Sequence, residues 1–204
     1  MIRNIIRGII IADLQDSAVE SWHNGRDVIP LSPLDRLILQ QHRHNYGLWH
    51  EEDEARRTDT SDAVIAKVKR AIDKLNQQRN DCIEKIDDFL ISELNVAGVE
   101  AAKEASRNSE TPGSIIDKLS IISLRIYHMN EQVNRKDADT AHIQKCKDRL
   151  VILAEQRQDL SESLTDLWAE IGSGRKRLKV YRQFKMYNDA SLNPAVYGAN
   201  RGNS

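Results

Sequence analysis

Cys82 and Cys146 are the only thiols in 204 residues, and they stand far apart, without the paired spacing of a zinc site or a disulfide framework. A cystine-stapled fold is excluded, and two reduced thiols fit a cytoplasmic protein. Aromatic residues make up 5% of the chain and glycines number nine. With β-branched alternation nearly absent as well, little is present from which to build sheets. Helix formers dominate, and the composition predicts an all-α protein. Net charge is missing too: 30 basic residues against 31 acidic ones leave −1, so no global field favours nucleic acid or an anionic membrane. Any attraction for anions must be local. No stretch is long and apolar enough to span a bilayer. Neither a Ser-His-Asp order, a P-loop nor a dinucleotide fingerprint occurs, so covalent serine catalysis and hydride transfer have no support.

What is present is helical periodicity over a length that suits one domain, residues 1–190, with an irregular tail over 191–204. The start, Met1 to Asp13, has the early charge and isoleucine cluster of a secretion signal. Arg7 interrupts it, Asp13 ends it and no small-residue cleavage site follows, so it reads as a mature amphipathic helix continuing through Leu14, Val19 and Trp22. That helix ends before His23-Asn24-Gly25. Ser32-Pro33 is an N-cap with proline at the first helical position, opening a second helix to about Arg57. A third runs from Ala63 to about Leu94. Asn95 to Asn108 reads equally as a short helix or a loop, and Pro112 opens a very apolar helix from Ser114 to about Asn134. A long amphipathic helix spans Ala141 to Ile171, stopped by Gly172 and Gly174, and a short basic helix is expected from Arg175 to about Tyr187. The expected architecture is an antiparallel bundle of four long helices, with the N-terminal and basic C-terminal helices packed around it. Leftover apolar surface on such long helices predicts a homodimer.

The sharpest pattern lies on the third helix. Asp73, Asn76, Asn80, Glu84 and Asp87 recur at steps of three and four, making one polar stripe beside Ile72, Leu75, Ile83, Ile86 and Leu90. Carboxylates next to a core must be paired, hydrogen-bonded or metal-bound. On the apolar fourth helix, Asp117, Ser120 and His128 share one side, within reach of such a stripe. The end of the second helix clusters Asn45, Trp49, Glu52, Asp53 and Arg56, and Trp49 marks that face as inward. The segment Arg175 to Asp189 concentrates basic charge with interleaved aromatics, which suits a phosphate, with Arg182 and Lys185 as its contacts.

Two metal patterns are weighed. Glu84-x-x-Asp87 and Glu51-x-x-Glu54 are paired carboxylates of the kind that hold magnesium or manganese. Their spacing is similar to the acidic helices of all-α nucleoside triphosphate pyrophosphohydrolases. A histidine zinc site is disfavoured, because His42, His44 and His50 stand at spacings that do not converge with His128 or His142.

Four blocks carry a family resemblance: Leu48 to Arg56 (LWHEEDEAR), Ile72 to Asp81 (IDKLNQQRND), Glu110 to Ser120 (ETPGSIIDKLS) and Lys185 to Asp189 (KMYND). Together they resemble an all-helical bacterial family classed as a domain of unknown function. The resemblance implies a cytoplasmic protein and a link to envelope polysaccharide synthesis, and it supplies no reaction.

The leading expectation is a small-molecule-binding protein, or an enzyme of unknown reaction, with a polar pocket between the second, third and fifth helices. Its ligand is phosphorylated or sugar-nucleotide-like. Asp73, Asn76 and Asn80 orient hydroxyls, together with Trp49, Asp53 and Arg56 on the second helix. Glu84, Asp87, Asp117 and His128 supply acid, base or a hold on a divalent cation such as magnesium, and Arg182 and Lys185 meet the anionic end. Two alternatives stand beside it. One is an interaction or scaffold protein whose polar seam is a buried structural network, and the other is a magnesium-dependent pyrophosphohydrolase.

Overall fold

The computed structural model describes residues 5–182 and 191–194. Five helices account for most of it: α1 (Gly8–His23), α2 (Pro33–Glu54), α3 (Asp62–Val96), α4 (Pro112–Val133) and α5 (Thr140–Gly172). Their starts are written in the sequence. The Ser32 hydroxyl accepts from the Asp35 amide at 3.0 Å ahead of Pro33. Thr111 and Ser114 form a reciprocal capping box ahead of α4, and Asp139 accepts from the His142 amide at 2.7 Å to start α5. Each such cap satisfies an amide that the helix cannot, typically adding about 1 kcal/mol.

Contacts between elements follow from the apolar stripes. α2 packs on α3 and α4 on α5, while α1 lies against α4 and α5. Along α2 the residue numbers rise as those of its α3 neighbours fall, with Gly47 against Leu75 and Leu48 clustered with Val68 and Ile72. The two therefore form an antiparallel hairpin. Along α2 and α4 the numbers rise together, from Gln41 at Asp117 to Trp49 at His128. The main core joins Ile11, Ile38, Ile86, Leu90, Ile116, Leu119, Leu164 and Trp168 from all five helices. Each fully buried side chain of this size adds about 1.5–3 kcal/mol. No described helix is long and apolar enough to cross a membrane.

One open reading is resolved and one expectation needs correction. The ambiguous Asn95 to Asn108 stretch is mostly irregular, with Gly98 at φ 65°, and it carries a two-residue strand, β1 (Ser106–Arg107). β1 pairs in parallel with β2 (Lys176–Arg177), so the expected basic C-terminal helix is not helical over its described part. The reason is legible in the segment itself. Lys176, Leu178 and Val180 are partly buried while Arg175, Arg177, Lys179 and Tyr181 are exposed, a period of two rather than 3.6. Gly174 permits the departure from α5: its φ is 76°, and a Cβ there would lie 2.6 Å from the Glu100 carbonyl oxygen.

Candidate functional site

Among the helices lies a buried polar network. Gln41 Nε2 and Asn45 Nδ2 on α2 both donate to Asp117 Oδ1 on α4, at 2.5 and 2.9 Å, and Asn45 also donates to Ser120 Oγ at 2.8 Å. His42 Nε2 lies 3.0 Å from the Gln15 carbonyl, which only accepts, so the proton sits there. Nδ1 then accepts from the Ser120 hydroxyl at 2.6 Å. From α3, Arg79 Nε stands 3.7 Å from Asp117. Gln41, His42 and Ser120 are 0% exposed. Ser120 and His42 have the separation of a nucleophile and its base, yet no solute reaches them. Burial raises the Asp117 pKa, opposed by the Arg79 charge and the Asn45 and Gln41 bonds.

Burial holds His42 down at about 3, against a smaller upward pull from the Gln15 carbonyl. Because the unfolded imidazole takes its proton near pH 6.5 and the folded one does not, this residue favours the fold above that pH. Its contribution falls by about 1.4 kcal/mol per unit from there towards pH 3, or about 2 kcal/mol at pH 5. Asp87 runs the other way. Burial pushes its carboxyl up to about 6 despite bonds from Thr111 and the Gly113 amide, so ionisation in the fold is penalised and acidification through pH 6 relieves the penalty. The expected NMR result is a His42 ring that does not titrate between pH 7 and 5. A midpoint near 6.5 would contradict the sealed network.

The polar stripe of α3 does not stay together. Asp73 is exposed and paired with Lys69. Asn76 joins Trp49, Asp53 and Arg56 around a groove of about 360 Å³, backed by Asn45 and Arg79 of the network. Four of the expected ligand residues are thus neighbours. Asn80, Glu84 and Asp87 line a different hollow of about 200 Å³ with Thr111, Ser114 and Tyr181. There Asp87 is spent on structure: its Oδ1 accepts from the Gly113 amide at 2.8 Å, anchoring the start of α4. Arg182 is held at 2.7 Å by both Glu84 and Asp88. Asp117 and the stripe therefore do not meet in one cavity. Lys185 lies outside the described residues.

A larger groove, about 700 Å³, runs between α4 and α5 and shares Trp49 and Asp53 with the first. Its apolar floor is Met129, Ile152 and Leu153, and Arg125 and Arg149 stand over it. Neither arginine has a carboxylate partner among the described residues. His128 forms part of the wall, with its ring stacked on Trp49 at 4.5 Å and 4°.

Behind that wall three imidazoles converge. His23 ends α1, His50 comes from α2 and His128 from α4, and one ring nitrogen of each lies within 4.8 Å of the other two. His50 and His128 therefore do converge, contrary to the reading from spacing, because α2 and α4 run side by side in register. His23 closes α1, and its spacing in the sequence gives no sign that it meets the other two. His23 Nδ1 donates to the Val19 carbonyl at 2.8 Å, and His128 Nδ1 donates to the Glu131 carboxylate at 2.7 Å. Tyr46 and Tyr127 complete the surroundings, with Tyr127 stacked on His23 at 4.0 Å. Burial, then the neighbouring His23 and His128, lower the pKa of His50.

The fold and site thus define an all-helical protein with a sealed polar interior and an open groove at one side. A family profile described as Protein of unknown function (DUF4254) matches residues 35–180, and the chain belongs to that family. Comparison with curated proteins and with solved structures gives no match.

Proposed function

We propose that the protein binds a small phosphorylated or sugar-nucleotide-like molecule in the grooves that meet at Trp49. One observation carries this reading: two arginines without carboxylate partners among the described residues, Arg125 and Arg149, face an apolar floor beside a tryptophan. Guanidinium groups suit phosphate oxygens in bidentate geometry, and the flat apolar surface suits a base or sugar ring. Trp49, Asp53, Arg56 and Asn76 supply the polar rim of the adjoining groove. The anion-binding part moves from Arg182, which Glu84 and Asp88 occupy, to Arg125 and Arg149. An antiparallel bundle of the four long helices, a homodimer and a cytoplasmic setting belong to the same reading. So does the link to envelope polysaccharide synthesis.

Calorimetric titration with nucleoside diphosphate sugars, and with the free nucleoside diphosphates, tests it. One charge-assisted contact is worth about 1.5–3 kcal/mol, so Arg149→Gln is expected to weaken binding roughly 10- to 100-fold. Equal affinity in Arg149→Gln, Arg125→Gln and wild type would remove the groove assignment. The scaffold reading keeps its own support in the buried network around Asp117, whose hydrogen bonds join α1, α2 and α4 without a ligand. The magnesium pyrophosphohydrolase reading has less beneath it, since Asp87 anchors α4, Glu84 pairs with Arg182 and Glu54 with Arg57.

A further inference from the structure

We infer that His23, His50 and His128 form a binding site for a divalent transition-metal ion, zinc foremost. Each of the three rings has a buried Nε2 without a hydrogen-bond partner among the described residues. Such an atom costs about 1–3 kcal/mol when left unmade, and three of them on facing helix surfaces form an unusual concentration. Packing alone gives no reason for imidazoles here rather than phenylalanines.

The hydrogen bonds on the opposite side of the rings fix the tautomer. The Val19 carbonyl and the Glu131 carboxylate are acceptors, so His23 and His128 carry their protons on Nδ1 and present the Nε2 lone pair inward. A carboxylate bonded to the far nitrogen of a ligating histidine is a recurrent outer-shell arrangement, and it raises the basicity of the ligand. Both Tyr46 and Trp49 hold the rings from the sides, with Tyr46 edge-on to His50 at 4.5 Å.

Neutral imidazoles select the metal class. Magnesium and calcium prefer oxygen donors, whereas zinc, cobalt, nickel and copper accept three nitrogens. Tetrahedral bonds of about 2.0–2.1 Å place ligand nitrogens roughly 3.3 Å apart, so the three nitrogens, within 4.8 Å of one another without an ion, draw closer when one binds. Three protein ligands leave one position for water or a bound molecule. His128 also lines the large groove, which places the ion at its wall, whereas His23 and His50 do not line it. The metal site therefore stands independently of the ligand proposed for that groove.

The test uses the full chain, treated with a chelator, dialysed and titrated with zinc at pH 7.5. One equivalent is expected to bind with micromolar or tighter affinity, and magnesium is expected not to bind. His50→Gln and His23→Gln should each weaken zinc at least about 100-fold, and Glu131→Gln about 10- to 100-fold. Circular dichroism confirms that each variant folds. If the histidine variants do not, the cobalt form of the wild type decides through a visible spectrum of tetrahedral nitrogen coordination. No zinc uptake by the folded wild type would overturn the proposal. So would uptake abolished by His142→Gln but not by His50→Gln, since His142 sits 3.5 Å from the Cys146 thiol and offers the competing pair. Retained zinc affinity in Arg149→Gln separates this site from the groove reading.

Discussion

Gly113→Ala is expected to lower the unfolding free energy by about 3 kcal/mol, although it replaces one small residue with another at a helical position. Alanine normally improves a helix over glycine by up to about 1 kcal/mol, and Gly113 does not have the positive φ that would make a side chain strained. The loss is steric. A Cβ there would lie 2.7 Å from the Ile83 carbonyl oxygen and 2.9 Å from the Asp87 carboxylate. The first contact is with backbone, which has no flexible end to swing aside, so α4 must move away from α3 to relieve it. That movement breaks the 2.8 Å bond from the Gly113 amide to Asp87, leaving a buried acid without its backbone donor. Overpacking of this kind costs about 1–3 kcal/mol, and the broken bond adds to it. Gly47→Ala is the matched control. Its Cβ would meet only the flexible end of Leu75, at 3.3 Å, and its stability should stay within about 1 kcal/mol of wild type. Urea unfolding of the two variants makes the comparison, and equal stability would remove the close approach of α3 and α4.

Asp117→Ala should cost more, about 3–5 kcal/mol, while Asp117→Asn costs about 1 kcal/mol. Asp117 Oδ1 takes donors from both Gln41 and Asn45, and alanine leaves the buried Gln41 amide without its acceptor, Asn45 with only Ser120, and Arg79 without its buried counter-charge. Asparagine keeps a carbonyl oxygen at that place. It also removes the charge whose burial raises the Asp117 pKa, which offsets part of the lost attraction to Arg79. Thermal unfolding of the two variants separates the roles. An Asn variant as damaged as the Ala variant would mean that the negative charge, rather than the acceptor geometry, holds the network.

Much of the fold was readable because helix starts are local chemistry. Ser32-Pro33, Thr111-Pro112 and Asp139 cap the helices within a turn of where periodicity begins. The segment after Gly174 is deceptive for a local reason too: its basic content suggests a helix, while only Leu178 and Val180, flanking Lys179, hint at the period of two that its burial follows. The site was readable in halves. Trp49, Asp53, Arg56 and Asn76 do share a groove, since residues of one helical face and its hairpin partner meet whatever else the chain does. Asp73 and Asp87, about four turns apart on one stripe, do not share surroundings, because α3 packs on α2 beside Asp73, which itself faces outward, and is covered by the start of α4 and the C-terminal segment at Asp87.

By itself the sequence determined that this chain is helical, where its long helices begin, and which faces they bury, because caps and apolar spacing act over one or two turns. Only the tertiary structure decided that Arg125 and Arg149 overlook one groove, that Ser120 closes on His42, and that His23, His50 and His128 converge. Those groups come from helices separated by tens of residues. Their meeting depends on the relative offset of α1, α2 and α4, which is set by how the side chains between them interlock.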